Sequence, residues 1–231
     1  SVGEIRLRSR SVSVTIPYCN SHCHLSTPVH DGECQLVSID ITTEKLPDMG
    51  IRPRTVYSIG QHPWHISETS LSDSIINSLA KRPDVKAIGE CGLDKAIKVP
   101  MVLQQKVLEA QWCLAQELKL PMILHIVRSW GELLAFRKQK GDTIPLIVHG
   151  FRGNATLAAQ LINHGFYLSF GPRYQSDAIK YAYLAEKMLL ESDEHTEPIE
   201  FLYTEVAATL GTTEQILREK LFASNKLLFN L

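Results

Sequence analysis

Apolar positions along the chain follow two alternating patterns. Short, nearly continuous apolar and β-branched runs read as strands at 12–16, 35–41, 55–59, 85–88, 121–125, 144–149, 166–170 and 187–193. Segments with apolar residues every three or four positions read as helices at 71–80, 103–119, 129–139, 154–163, 175–186, 197–209 and 213–223. The clearest is 103–119, where Leu103, Val107, Ala110, Leu114 and Leu118 make one stripe. Arg82-Pro83 closes the helix before it, because proline lacks the amide that a helix would need there. Several strands are apolar on both faces, as parallel strands covered by helices must be. Eight of them alternating with helices predict the α/β class and a TIM-type (β/α)8 barrel, one domain over residues 1–231. Only about ten residues join the first two strands, too few for a helix, so the barrel is expected to lack its first crossover helix. Residues 1–11, with Arg6, Arg8 and Arg10 alternating with other side chains, read as a solvated basic arm or, less simply, an extra edge strand.

Composition narrows the possible functions. With 231 residues, 44% of them hydrophobic, the chain can bury a full core. Its 24 basic and 25 acidic residues leave a net charge of -1, which excludes a nucleic-acid binder that works by overall positive charge. Any site for a polyanion must be local. The five cysteines (Cys19, Cys23, Cys34, Cys91 and Cys113) contain no C-x-x-C pair, which argues against a zinc finger or disulfide scaffold and for a reducing compartment. No run of roughly 18 apolar residues marks a membrane span and no signal peptide is legible. The expectation is a cytoplasmic monomer without a membrane partner.

The candidate chemistry collects where strands end. In Ser21-His22-Cys23-His24-Leu25, side chains that alternate across a strand put His22 and His24 on one side and Cys23 on the other. His62 lies just past the third strand and Glu90 just past the fourth, while His125, His149 and Asp193 end the fifth, sixth and last. In a parallel barrel these tips converge on the face where active sites form. His22, His24, Glu90, His125, His149 and Asp193 are therefore candidate metal ligands. A glutamate directly after a buried apolar strand is costly unless paired or metal-bound. Asp193 has an alternative role as a helix cap, and His62 as a loop hydrogen-bonder. His30, His164 and His195 read as loop or surface residues.

The same motifs resemble the TatD-type metal-dependent deoxyribonucleases, in order from about residue 20 to the end. The resemblance is carried by Ser-His-Cys-His-Leu, by Ile-Gly-Gln-His-Pro at 59–63, by Ala-Ile-Gly-Glu-Cys-Gly-Leu-Asp at 87–94 and by the helix opening Leu103-Gln104-Gln105. It continues through Leu-Pro-Met-Ile-Leu-His at 120–125, Val-His-Gly-Phe-Arg-Gly at 148–153, Leu-Glu-Ser-Asp at 190–193 and Asn-Lys-Leu-Leu-Phe at 225–229. It implies two divalent metal ions (Zn, Mn, Mg or similar), one served by His22, His24, Glu90 and Asp193, the other by Glu90, His125 and His149, with Glu90 bridging. Besides the short region between its first and third strands, the chain departs from the family pattern in three places. Arg128 stands three residues after His125 rather than two. Arg152 replaces a small polar residue. Ser192-Asp193-Glu194-His195 replaces a threonine-aspartate followed by a proline-containing turn.

The implied activity is hydrolysis of phosphodiester bonds at DNA ends. In that reading Glu90, Asp193 and His62 are catalytic, Asp193 as general base, and His62 also joins Arg128 and Arg152 in neutralising phosphate charge. Trp64 offers a face for a terminal base or simply packs. Two other readings share the barrel: an amidohydrolase or lactonase acting on a small molecule, and a non-catalytic metal-binding barrel.

Overall fold

Eight strands pair side by side, in chain order, into one parallel sheet: β1 (Tyr18–Cys23), β2 (Glu33–Asp40), β3 (Thr55–Gly60), β4 (Val85–Asp94), β5 (Met122–Val127), β6 (Leu146–Val148), β7 (Tyr167–Phe170) and β8 (Met188–Leu190). The structure, a computed structural model, describes residues 15–67, 73–141 and 143–230. The arm expected over 1–11 lies outside them, as do residues 12–14. The helices are α1 (Asp73–Leu79), α2 (Met101–Leu118), α3 (Trp130–Lys140), α4 (Ala155–Asn163), α5 (Ser176–Leu184), α6 (Ile199–Leu210) and α7 (Glu214–Phe229). Residues 71 and 72 of the expected first helix lie outside the described residues. No described helix is long and apolar enough to cross a membrane.

The sheet closes into a nearly complete barrel. Between β8 and β1 the ladder is reduced to a bridge from Cys23 to Asp193, with the Asp193 amide donating to the His22 carbonyl at 3.0 Å. Asn20 fills the gap, its side-chain oxygen accepting from the Ser192 amide at 3.0 Å and its amide nitrogen donating to the Ser192 hydroxyl at 2.7 Å. Leu36, Ala87, Ile123, Ile147 and Leu189 pack in one buried cluster with Leu228 and Phe229 from the end of α7. Removing an anchor such as Phe229 leaves a cavity worth about 3–5 kcal/mol.

Several boundaries differ from the sequence expectation. The first strand is Tyr18–Cys23 rather than 12–16, and Thr15 and Ile16 are not in a strand. Polarity hid it: Asn20, Ser21 and His22 are buried, and a strand holds them because Ser192, Asn225 and the site give them surroundings. Strand β4 runs on to Asp94 and β5 to Val127, so Glu90 stands within its strand and not past it, and His125 stands inside its strand and not at its end. Helix α7 extends to Phe229, well past 223, because its last turn is buried. The first crossover helix is absent, as expected, and residues 41–54 between β2 and β3 also form no helix. A guanidinium does some of the missing work: Arg52 donates to the carbonyls of Leu25 and Thr27 at 2.7 and 2.6 Å, tying the two connections together.

Candidate metal centre

Glu90 owes its position to the glycines beside it. Gly89 and Gly92 have φ of +131° and +155°, and a Cβ on Gly92 would fall 1.9 Å from the His125 carbonyl oxygen. Only glycine lets β4 approach β5 so closely. The β4–β5 register shifts between Ile88 and Cys91, and Glu90 lies in that irregularity. Its Oε1 is 2.7 Å from His149 Nε2, 2.8 Å from His125 Nδ1 and 3.1 Å from His62 Nε2, while its Oε2 is 3.4 Å from His22 Nε2. Burial raises the carboxyl's pKa, but the surrounding imidazoles, His149 first, hold it well below the usual range. Burial likewise lowers His149, yet the carboxylates of Glu90 and Glu191 hold it well above an ordinary histidine.

His22 is fully buried on β1, and neither ring nitrogen has a hydrogen-bond partner. Burial, with His149 beside it, pushes its pKa down, so the ring is neutral with a free lone pair. A buried imidazole in that state is costly unless something accepts the lone pair, which suits a cation. His24 Nε2 meets Asp193 Oδ1 at 3.2 Å, and the same oxygen lies 3.8 Å from His22 Nε2. Asp193, at φ 54°, does not cap the following helix, whose N-cap is Pro198. Burial opposes its ionisation, but His24, His22 and His149 together hold its carboxyl low.

Two carboxylates that the sequence reading passed over stand behind the imidazoles. Asp94 Oδ2 lies 3.2 Å from His125 Nε2 and accepts from the Trp64 indole N–H at 2.8 Å. Gln104 fixes that end of β4, its Oε1 accepting from the Asp94 amide at 2.6 Å and its Nε2 donating to the Asp94 carbonyl at 2.9 Å. Glu191, fully buried, holds its Oε1 3.3 Å from His149 Nδ1 and accepts from the Gly150 amide at 2.8 Å. A signal for Glu191 was present: an acid at the end of an otherwise apolar strand needs a partner.

The six predicted ligands come together. Ligand atoms of His22, His24 and Glu90 lie within 4.8 Å of one another, and so do those of His22, His149 and Asp193, and of His62, Glu90 and His125. His62 makes the loop hydrogen bond considered for it, its Nδ1 accepting from the Trp64 amide at 3.2 Å, while its Nε2 faces Glu90. With Nδ1 accepting, the proton sits on Nε2, so His62 is a donor toward Glu90 and not an available lone pair. All of this faces a cleft of about 770 Å³ that Trp64, Arg128 and Arg152 also line. Trp64 is 56% exposed, and its ring stands edge-on to His62 and His125. Both arginines are exposed, with no carboxylate partner among the described residues.

A family model described as TatD related DNase matches residues 21–220. A Bacillus subtilis protein named as an uncharacterized metal-dependent hydrolase, YabD, is 30% identical over 172 residues, 66% of this chain and 68% of that one. The 3'-5' ssDNA/RNA exonuclease TatD of Citrobacter koseri is 34% identical over 113 residues, 47% of this chain. The matched stretch spans only 43% of that exonuclease's own length. Among solved structures, the TatD homologue YJJV of Escherichia coli superposes with a TM-score of 0.78 at 21% identity, covering 94% of this chain and 99% of that one.

Proposed function

The chain belongs to the TatD related DNase family, and from that membership we propose that it is a metal-dependent hydrolase of phosphodiester bonds, acting at the ends of DNA or a related polynucleotide. One observation carries the reading: the two oxygens of Glu90 address different partners, Oε1 facing His125 and His149 and Oε2 facing His22. Two divalent cations would be held by these residues, one by His22, His24, Glu90 and Asp193, the other by Glu90, His125 and His149. Nitrogen and oxygen donors of this kind suit Zn, Mn or similar ions, with Mg at a weaker position. Bound cations would supply charge stabilisation at the phosphoryl oxygen and a water whose pKa is lowered to about 7.

The chain's own groups do the rest. Asp193, ionised at neutral pH, accepts the proton of the attacking water. His62, protonated at Nε2, is placed to donate to an oxygen of the phosphate. Arg128 and Arg152 at the cleft edge offset the phosphate charge that a net charge of -1 does not. Trp64 presents a ring at the mouth on which a terminal base can stack.

The test is metal content of the purified protein together with a cleavage time course on end-labelled single-stranded DNA, with and without chelator. Metal-dependent, stepwise loss of label supports the reading. Hydrolysis of a lactone or cyclic amide with DNA left intact would replace it by the small-molecule alternative.

A further inference from the structure

The main cleft does not end at the metal centre. A neck of about 10 Å³ shares Gly150, Arg152 and Asp193 with it and adds Arg173 and His195. A further pocket of about 230 Å³ shares Pro172, Glu191 and His195 with the neck and is walled by Phe201 and Leu202. The three form one trough across the ends of β6, β7 and β8. Its character changes along its length. At the neck stand the guanidinium groups of Arg152 and Arg173, both exposed and neither with a carboxylate partner among the described residues. At the far end Phe201 is 61% exposed, an aromatic face left open beside Pro172.

We propose that this trough binds the nucleotide adjoining the scissile one in a single-stranded polynucleotide, its phosphate over the neck against Arg152 and Arg173 and its base on Phe201 and Pro172. The proposal rests on the phosphodiesterase reading above and gives it a substrate form. The neck has room for about one water, so the backbone crosses above it while the base drops into the wider pocket beyond. A planar guanidinium matches a phosphate with two parallel hydrogen bonds, and an aromatic face accepts any base. A paired duplex cannot splay a base in this way. Glu197 and Glu205 also line the far pocket. They repel phosphate, but they accept from exocyclic amino groups, which adenine, cytosine and guanine carry and thymine lacks.

The experiment is fluorescence anisotropy of labelled oligo(dC) and oligo(dT) single strands, in chelator so that nothing is cleaved. The full chain, Arg173→Glu and Phe201→Ala are compared, with hydrolysis of bis(p-nitrophenyl) phosphate by the metal-loaded proteins as the second readout. Both side chains are exposed, so both variants fold, and circular dichroism checks it. Arg173→Glu is expected to weaken oligo(dC) binding about tenfold and to reduce the salt slope by about 1. Phe201→Ala is expected to weaken it about fivefold. Hydrolysis of the small diester, which cannot reach the trough, stays within about twofold of wild type. Oligo(dC) binds more tightly than oligo(dT). Equal binding by all three proteins overturns the proposal, and so does a loss of small-diester hydrolysis as large as the loss of binding. Failure of the unmodified protein to hydrolyse any diester strikes the reaction assigned above, while the binding comparison still decides the trough.

Discussion

The two halves of the candidate centre are built differently. On the β5–β6 side each imidazole turns one nitrogen to Glu90 and has the other held by a carboxylate, Asp94 behind His125 and Glu191 behind His149. On the β1 side His22 has no such backing, and His24 meets only Asp193. The side chains of His24 and Asp193 are also the more open, 29% and 26% exposed against 13% and 8% for His125 and His149. A carboxylate behind an imidazole fixes its tautomer and raises its basicity. On the proposed two-cation reading, the difference means that one half is organised before a cation arrives and the other adjusts to it. The β5–β6 half is therefore expected to hold its cation more tightly, and the β1 half to exchange.

The largest effect should come from the residue common to both halves. Glu90→Ala is expected to lower diester hydrolysis by at least about 10²–10³-fold and to empty both positions, with the circular dichroism spectrum unchanged. Retained activity would remove the bridge and the comparison with it. Next come the backing carboxylates. Asp94→Asn and Glu191→Gln should each weaken cation binding about 10–100-fold, seen by calorimetry as loss of the tighter phase while the weaker one stays. Equal weakening of both phases would mean that the halves are not distinct.

A smaller effect is expected from the seam that carries the unbacked half. Asn20→Ala removes two buried hydrogen bonds between β1 and Ser192, just past β8, and should cost about 1–3 kcal/mol in urea unfolding. The smallest is a pH effect on the same strand. Burial, and then donation of its hydroxyl to Glu214, raises the Tyr18 phenol from 10.0 to about 12. Because the folded value lies above the unfolded one, this stabilisation is complete below pH 10 and is lost as pH rises through about 12. Thermal melts of Tyr18→Phe against wild type across that window should differ below it and converge above it.

Most of the barrel was legible because its strands are apolar on both faces, and β5 through β8 were found within a few residues. The site was legible for a related reason: a histidine or carboxylate at the end of such a strand stands out. What escaped notice was polar residues satisfied by distant partners. β1 was misplaced onto a β-branched stretch because Asn20 and Ser21 look like loop residues until Ser192 and Asn225, far along the chain, are set against them. Asp94 and Glu191 lie inside motifs that were read, but the backing of an imidazole joins residues from two different strands, which spacing along one strand does not reveal. The dual contacts of His62 depended on the turn at Pro63–His65, whose amides face back to it.

The hydrogen bond from the Trp64 indole to Asp94 gives the centre an optical handle. The same carboxylate oxygen receives both that N–H and His125 Nε2, so any shift of electron density in His125 is felt one bond away by a fluorophore at the surface. Emission from Trp64, isolated by subtracting the Trp64→Phe spectrum, should follow cation occupancy on the backed half alone. On the proposed two-cation reading, Trp64 would be an intrinsic dye for one of the two positions.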